Sequence, residues 1–176
     1  SLNNQILFNL VDGAIRIALF LAFIWGISLW ADIRRVYEYH GAEHKTVFAF
    51  ENSGNPVSVP EAQRFSTYHP RCGTSFLITV MLISIVVYSL FPAHTFWMKF
   101  AIRLACLPLI AGLSYELIRF AARRRSMLFA TLASPGLWLQ RITTQPPADD
   151  QVECAIQALH CAMELERQNG GELIIA

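Results

Sequence analysis

SFLITVMLISIVVYSLF, residues 75–91, carries no charged side chain and decides the fold. At about 1.5 Å per residue, a helix of these 17 residues is about 26 Å long, near the lower limit for crossing a bilayer. Residues 6–30 and 96–120 are predominantly apolar over 25 residues each. The sequence therefore predicts an all-α integral membrane protein with three transmembrane helices over these three stretches. Thr74 or Ser75 is the predicted N-cap of the second helix.

The composition fits a small membrane protein. Apolar residues make up 54% of the 176 residues, and the mean hydropathy is +0.38. We expect a single membrane domain over residues 1–176 with the lipid bilayer as its partner, and the net charge of +1 favours no nucleic-acid partner. Four irregularly spaced cysteines indicate a reduced, cytosol-facing setting instead of a disulfide framework. The chain has neither an initiator Met nor a signal-peptide pattern, so we expect a fragment of a longer protein that lacks an N-terminal region.

Charged residues interrupt two of the predicted spans. Asp12 and Arg16 lie one helical turn apart, and we interpret them as a salt bridge near the membrane edge. A polar pathway or substrate contact is the alternative. Arg103 and Glu116 are too far apart along one helix to pair with each other, so we expect each to face the protein interior.

The basic residues predict the orientation. The loop over residues 32–74 contains five of them, at Arg34, Arg35, Lys45, Arg64 and Arg71. The segment from the end of the third span onward contains more of them, including Arg119, Arg123, Arg124, Arg125 and Arg141. The turn over 92–95 contains none. By the positive-inside rule we expect a multi-pass protein of the inner cell membrane, with the loop and the C-terminus cytoplasmic.

Four segments outside the spans have patterns of their own. Residues 32–51 have helical periodicity, and Ser58 to Glu61 form a capping-box pattern that predicts a short helix to about residue 66. Residues 126–140 are apolar but interrupted by Pro135-Gly136, which predicts an interfacial or re-entrant segment. Residues 149–167 predict an amphipathic C-terminal helix with an apolar stripe at Val152, Ile156, Leu159 and Met163.

The loop contains the residues that indicate chemistry. His40-Gly-Ala-Glu43-His44 is the inverted form of the zinc-protease motif, in which two histidines one turn apart bind the metal. A carboxylate beside them acts as the general base, because the metal acidifies a bound water. We therefore predict His40 and His44 as ligands of Zn²⁺ or another divalent transition metal, and Glu43 as the catalytic base. The alternative is that both histidines bond only to backbone or lipid headgroups.

His69 and Cys72 are the candidates for further ligands. A catalytic zinc has three protein ligands and one open position, whereas four ligands close the site and favour a structural role. If one of the two residues binds, hydrolysis is possible; if both bind, the site is a closed scaffold. The sequence leaves these alternatives open.

Three motifs carry a family resemblance: residues 39–45 (YHGAEHK), 68–76 (YHPRCGTSF) and 135–140 (PGLWLQ). Together they resemble the YqhQ-like bacterial membrane proteins, a family of unknown function (number 1385) described as predicted metal-dependent enzymes. The resemblance implies metal-site positions at His40, Glu43, His44, His69 and Cys72. Members of that family have an additional N-terminal part with a Gly-rich segment, so a ligand, a substrate contact or a further span is expected to lie outside this chain.

The leading hypothesis is a metal-dependent membrane enzyme, a zinc hydrolase that works at the cytoplasmic membrane face on an unidentified substrate. The second is a non-catalytic scaffold or transporter-like subunit with a structural metal clip. In that case the four charged residues of the spans, Asp12, Arg16, Arg103 and Glu116, would line a pathway or a helix interface. A homo-oligomer or the absent N-terminal region is the other expected partner.

Overall fold

The computed structural model describes residues 2–53, 57–69, 72–91, 95–123 and 127–170. These residues contain no strand and form helices α1 Leu2–Ser28, α2 Ala31–Ser53, α3 Val59–Ala62, α4 Gly73–Leu90, α5 Phe96–Arg123, α6 Met127–Thr143 and α7 Asp149–Gln168. Three stretches are long and apolar enough to cross a membrane: Leu7–Ser28, Gly73–Leu90 and Phe96–Phe120. The predicted all-α fold with three helices of membrane-spanning length is confirmed. The predicted turn over 92–95 lies mostly outside the described residues.

The chain divides into two compact units. The first unit contains Ser1–Trp25 and Pro70–Leu139, and the second contains Gly26–His69 and Gln140–Ala176. In the first unit α4 packs against α5 around a small buried core. The buried and partly buried side chains of this core recur every three or four residues on both helices, at Val80, Ile83, Val87, Ile102, Cys106 and Ile110. This spacing gives each helix one contact face.

The charged residues of the spans form ion pairs along the helices. Arg16 Nε donates to Asp12 Oδ2 at 2.9 Å, which confirms the predicted salt bridge. The interior position predicted for Glu116 is wrong, because its side chain is 65% exposed and lies 3.4 Å from Arg119 on the next turn. Arg103 is also exposed, and its guanidinium lies 4.0 Å from Asp12. Asp12 and Glu116 therefore each have an arginine partner one turn away on the same helix, and the exposed Glu116 does not line a buried channel.

The second unit is built on α2, α3 and α7. Helix α2 packs against α7, and the short α3 contacts both. The buried core of the second unit contains mainly small side chains, at Ala42, Ala49, Val57, Ala62 and Val152. Small residues permit close approach of helices. Of the predicted α7 stripe, Val152 and Met163 are buried and Ile156 packs against the core, so the amphipathic C-terminal helix is present.

The predicted N-cap of α4 and the predicted end of α3 differ from the structure. The N-cap of α4 is Cys72, not Thr74 or Ser75, because the Cys72 sulfur accepts a hydrogen bond from the Thr74 N–H at 3.4 Å. Ser58 is the N-cap of α3, but its side chain makes no capping hydrogen bond, and the helix ends at Ala62. In both cases the motif located the start of a helix within two residues but not the capping atom.

The predicted interruption at Pro135-Gly136 is wrong as a helix break, because α6 continues through both residues. Tertiary contact explains the difference: a Cβ on Gly136 would lie 2.6 Å from the Ser75 Cβ, so the two backbones are closely packed here. Packing of this kind overrides local helix propensity. The interfacial or re-entrant placement of residues 126–140 stays a prediction.

Candidate metal centre

Helix α2 places the rings of His40 and His44 one turn apart, with their centroids 4.4 Å from each other. His40 Nδ1 donates to the Thr143 carbonyl at 2.8 Å, and His44 Nδ1 donates to the Thr67 carbonyl. A carbonyl oxygen only accepts, so both Nδ1 atoms carry the proton, and in a neutral imidazole Nε2 then carries the lone pair. This is the arrangement that orients metal-binding histidines.

Gly41 explains how Thr143 reaches His40. A Cβ at Gly41 would lie 2.1 Å from the Gln145 carbonyl oxygen, so only glycine allows the chain after α6 to lie against α2. The Gln145 N–H donates to the Tyr37 carbonyl at 2.9 Å in the same contact. The glycine of the His-Gly-Ala-Glu-His motif is therefore needed for packing, and the packing orients the first histidine.

Lys45 positions the segment that holds His44. Its ammonium donates to the carbonyls of Gln63 at 2.8 Å and Phe65 at 2.7 Å, just after α3. Burial lowers the pKa of Lys45 below its usual value of 10.5. Because Thr67 follows two residues later, these bonds help to hold its carbonyl against His44. Sequence reasoning assigned Lys45 only to the charge count of the loop, although its place directly after His44 in the motif was a signal.

Gln140 holds the backbone of His69 through two hydrogen bonds. The His69 N–H donates to Gln140 Oε1 at 2.8 Å, and Gln140 Nε2 donates to the His69 carbonyl at 2.7 Å. Gln140 is fully buried and His69 is 5% exposed. A primary amide can satisfy both groups of one residue at once, which explains a buried glutamine at the end of the Pro-Gly-Leu-Trp-Leu-Gln motif.

The His69 ring lies beside the two other histidines and next to a carboxylate. Its centroid is 5.6 Å from that of His44 and 4.5 Å from that of Phe48, and its Nε2 lies 3.6 Å from Glu51 Oε2. Sequence reasoning missed Glu51. Glu51 is eleven residues after His40, just over three helical turns, so it lies on the same face of α2, and this periodicity could have found it.

Cys72 is the remaining candidate ligand and belongs to the first unit, where it is buried at the start of α4. Two imidazoles and one thiolate are a donor set that zinc favours.

Glu43 is exposed on α2, and His69 lies beside His44 with Glu51 as its neighbour. The roles of Glu43 as catalytic base and of His69 and Cys72 as further ligands stay predictions. Among the described residues of the second unit, the structure brings together the rings of His40, His44 and His69.

The structure is thus that of an all-helical protein with three helices of membrane-spanning length and a group of neighbouring histidines in its second unit. A model of the family described as "Protein of unknown function (DUF1385)" matches residues 1–165. The chain belongs to this family, which confirms the resemblance of its motifs.

The chain is also similar to the uncharacterized protein YqhQ of Bacillus subtilis (strain 168), with 35% identity over 157 residues. The match covers 89% of this chain and 49% of that protein, so the chain spans about half the length of this curated relative. No solved structure matches the chain significantly. Neither description names a metal or a reaction.

Proposed function

We propose that this chain is a metal-dependent membrane enzyme of the zinc hydrolase type, with His40, His44 and Cys72 as ligands. The observation that carries the proposal is the pair of carbonyl contacts, Thr143 to His40 and Thr67 to His44. Both contacts select the tautomer whose Nε2 can bind a metal.

The ligand count supports catalysis over a closed clip. Three protein ligands leave a fourth position for water or substrate. When bound there, zinc acts as a Lewis acid and makes water a stronger acid. Cys72 suits the role of anionic ligand, since the Thr74 N–H at the start of α4 points at its sulfur.

Glu43 is the proposed base. It lies on α2 directly before His44, and its exposed carboxylate can pass a proton on to solvent. With the loop on the cytoplasmic side of the inner membrane, as the basic residues favour, the substrate would be reached from the cytoplasm or the membrane surface.

Metal analysis of the purified full chain tests the site. We expect about one zinc per chain for a single three-ligand site, and its loss in His44→Ala and in Cys72→Ser. His160→Ala and Cys161→Ser are matched controls, because both residues lie on α7 away from the cluster, and they should keep the metal. Absence of stoichiometric metal after reconstitution, or full binding by the His40→Ala/His44→Ala double variant, would refute the proposal.

The second candidate, a structural clip, is favoured by the position of His69 beside His44. Cobalt in place of zinc separates the two, because its absorption spectrum reports the number and type of ligands. An open site predicts that azide shifts the cobalt bands and that His69→Ala leaves them unchanged. A spectrum insensitive to azide but changed by His69→Ala identifies a closed site and ends the hydrolase proposal. Glu43→Gln should retain cobalt in either case.

A further inference from the structure

A cavity of about 120 Å³ lies at one end of the helices of the first unit. Its walls come from Phe8 and Asn9 of α1, Tyr88 of α4, and Lys99 and Arg103 of α5, so it lies where α1 and α5 begin and α4 ends. Because one water takes up about 30 Å³ in the liquid, the cavity has room for a group the size of a phosphate. The walls combine aromatic rings with two cations.

Lys99 and Arg103 are four residues apart on α5, so their side chains lie on one face. The Arg103 guanidinium lies 4.0 Å from an Asp12 oxygen and 5.7 Å from the centre of the Tyr88 ring. The Lys99 ammonium lies 5.7 Å from the centre of the Phe8 ring. Among the described residues, no carboxylate forms an ion pair with Lys99.

The cations of the first unit outnumber its carboxylates. The three apolar stretches contain four basic and two acidic side chains. Each acid lies within 3.4 Å of an arginine one turn away on its own helix. Lys99 and Arg103 are therefore a surplus of two positive charges in an apolar setting, where an uncompensated charge is costly.

Exposed aromatic side chains flank the cavity. Phe96 and Trp97, on the first turn of α5, are 72% and 75% exposed. Aromatic residues, Trp above all, concentrate at the level of the lipid headgroups. With Trp97 at that level, Lys99, two residues further along α5, would lie near the phosphates of the lipids.

We propose that Lys99 and Arg103 bind a phosphate group at this cavity, and that the headgroup of an anionic lipid supplies it. The planar guanidinium can bind two phosphate oxygens, and the ammonium adds a point charge. Exposed apolar side chains continue along α5 at Phe100, Leu104 and Leu107, where acyl chains would lie. A free phosphate ion offers the same oxygens without the acyl chains, so the two sources can be separated.

Native mass spectrometry of the full chain in detergent, with added phosphatidylglycerol, tests the site. We expect the wild type to retain this lipid and Lys99→Gln to bind it about five-fold more weakly. This factor corresponds to the loss of one cation near an anionic lipid. Lys99→Gln leaves the ion pairs of Asp12 with Arg16 and Arg103, and of Glu116 with Arg119, in place, so it should fold normally. Lys99→Arg should restore binding. Arg167→Gln, which removes an exposed cation on α7, is the matched control and should bind as the wild type does.

Competition with inorganic phosphate identifies the source. Displacement of the lipid by phosphate would show that the site takes the free ion, and no displacement would show that it takes the lipid; both results support a phosphate site at Lys99 and Arg103. Equal retention of phosphatidylglycerol by the wild type and Lys99→Gln would overturn the proposal. So would equal retention of phosphatidylcholine, or no retention of lipid or phosphate by the wild type.

Discussion

The histidine cluster of the second unit and the cavity of the first unit treat polar groups in opposite ways. Around the cluster the backbone of the same unit supplies an acceptor for each group: Thr143 for His40, Thr67 for His44, and two carbonyls for Lys45. At the cavity, Arg103 lies 4.0 Å from Asp12, which also pairs with Arg16, and Lys99 forms no ion pair with a carboxylate of the described residues. The backbone acceptors around the cluster therefore fix the orientation of the two histidine rings, as a metal site requires. The cavity has a charge imbalance that a ligand from outside can correct.

Gly41→Ala is the strongest test of the close packing around the histidine cluster. The new Cβ would lie 2.1 Å from the Gln145 carbonyl oxygen, so a backbone segment must move. We expect a loss of more than about 3 kcal/mol in the free energy of unfolding, at the upper end for overpacking. Chemical denaturation of the detergent-solubilised protein measures it. Gly26→Ala is the matched control, since nothing lies within 4 Å of its Cβ position. Equal stability of both variants would show that the backbone contact is absent.

Gln140→Leu tests the hydrogen bonds around the histidine cluster, whereas Gly41→Ala tests its packing. The leucine leaves the buried N–H and carbonyl of His69 without the amide that now satisfies them. We expect a loss of about 2–3 kcal/mol and faster hydrogen exchange at the His69 amide. Gln157→Leu, at an exposed position of α7, should change neither quantity. Unchanged exchange at His69 in Gln140→Leu would contradict the anchoring role.

Asp12→Asn tests the charge imbalance at the cavity of the first unit. Without this carboxylate, Arg16 and Arg103 lose their ion pairs and the positive surplus increases by one. We expect a destabilisation of about 1 kcal/mol in neutral detergent, modest because both arginine side chains are about half exposed. Phosphatidylglycerol should bind about five-fold more tightly than to the wild type and recover that stability. Weaker lipid binding in Asp12→Asn would contradict the charge argument for the cavity.

The sequence predicted the parts of the molecule that depend on local patterns. Long apolar runs gave the three span-length helices, and the spacing of His40 and His44 placed both on one face. It could not predict Gln140 as the anchor of His69, because 71 residues separate them and the contact forms only after folding. Nor could the capping pattern at residues 58–61 give the helix end, which tertiary contacts decide. Glu51 is the intermediate case, since helical periodicity alone places it on the face of His40.

Glu116→Gln should have the smallest effect of these variants. It is the control for Asp12→Asn, because it removes a carboxylate of the first unit away from the cavity. Glu116 and Arg119 form an exposed pair at 3.4 Å on consecutive turns of α5, and such pairs contribute about 0.2–0.5 kcal/mol. Removal of Glu116 also adds one positive charge to the first unit, as Asp12→Asn does, but away from the cavity. We therefore expect nearly unchanged unfolding and unchanged retention of phosphatidylglycerol. If Glu116→Gln tightened lipid binding as much as Asp12→Asn, net charge alone would attract the lipid and the location of Lys99 and Arg103 at the cavity would not matter.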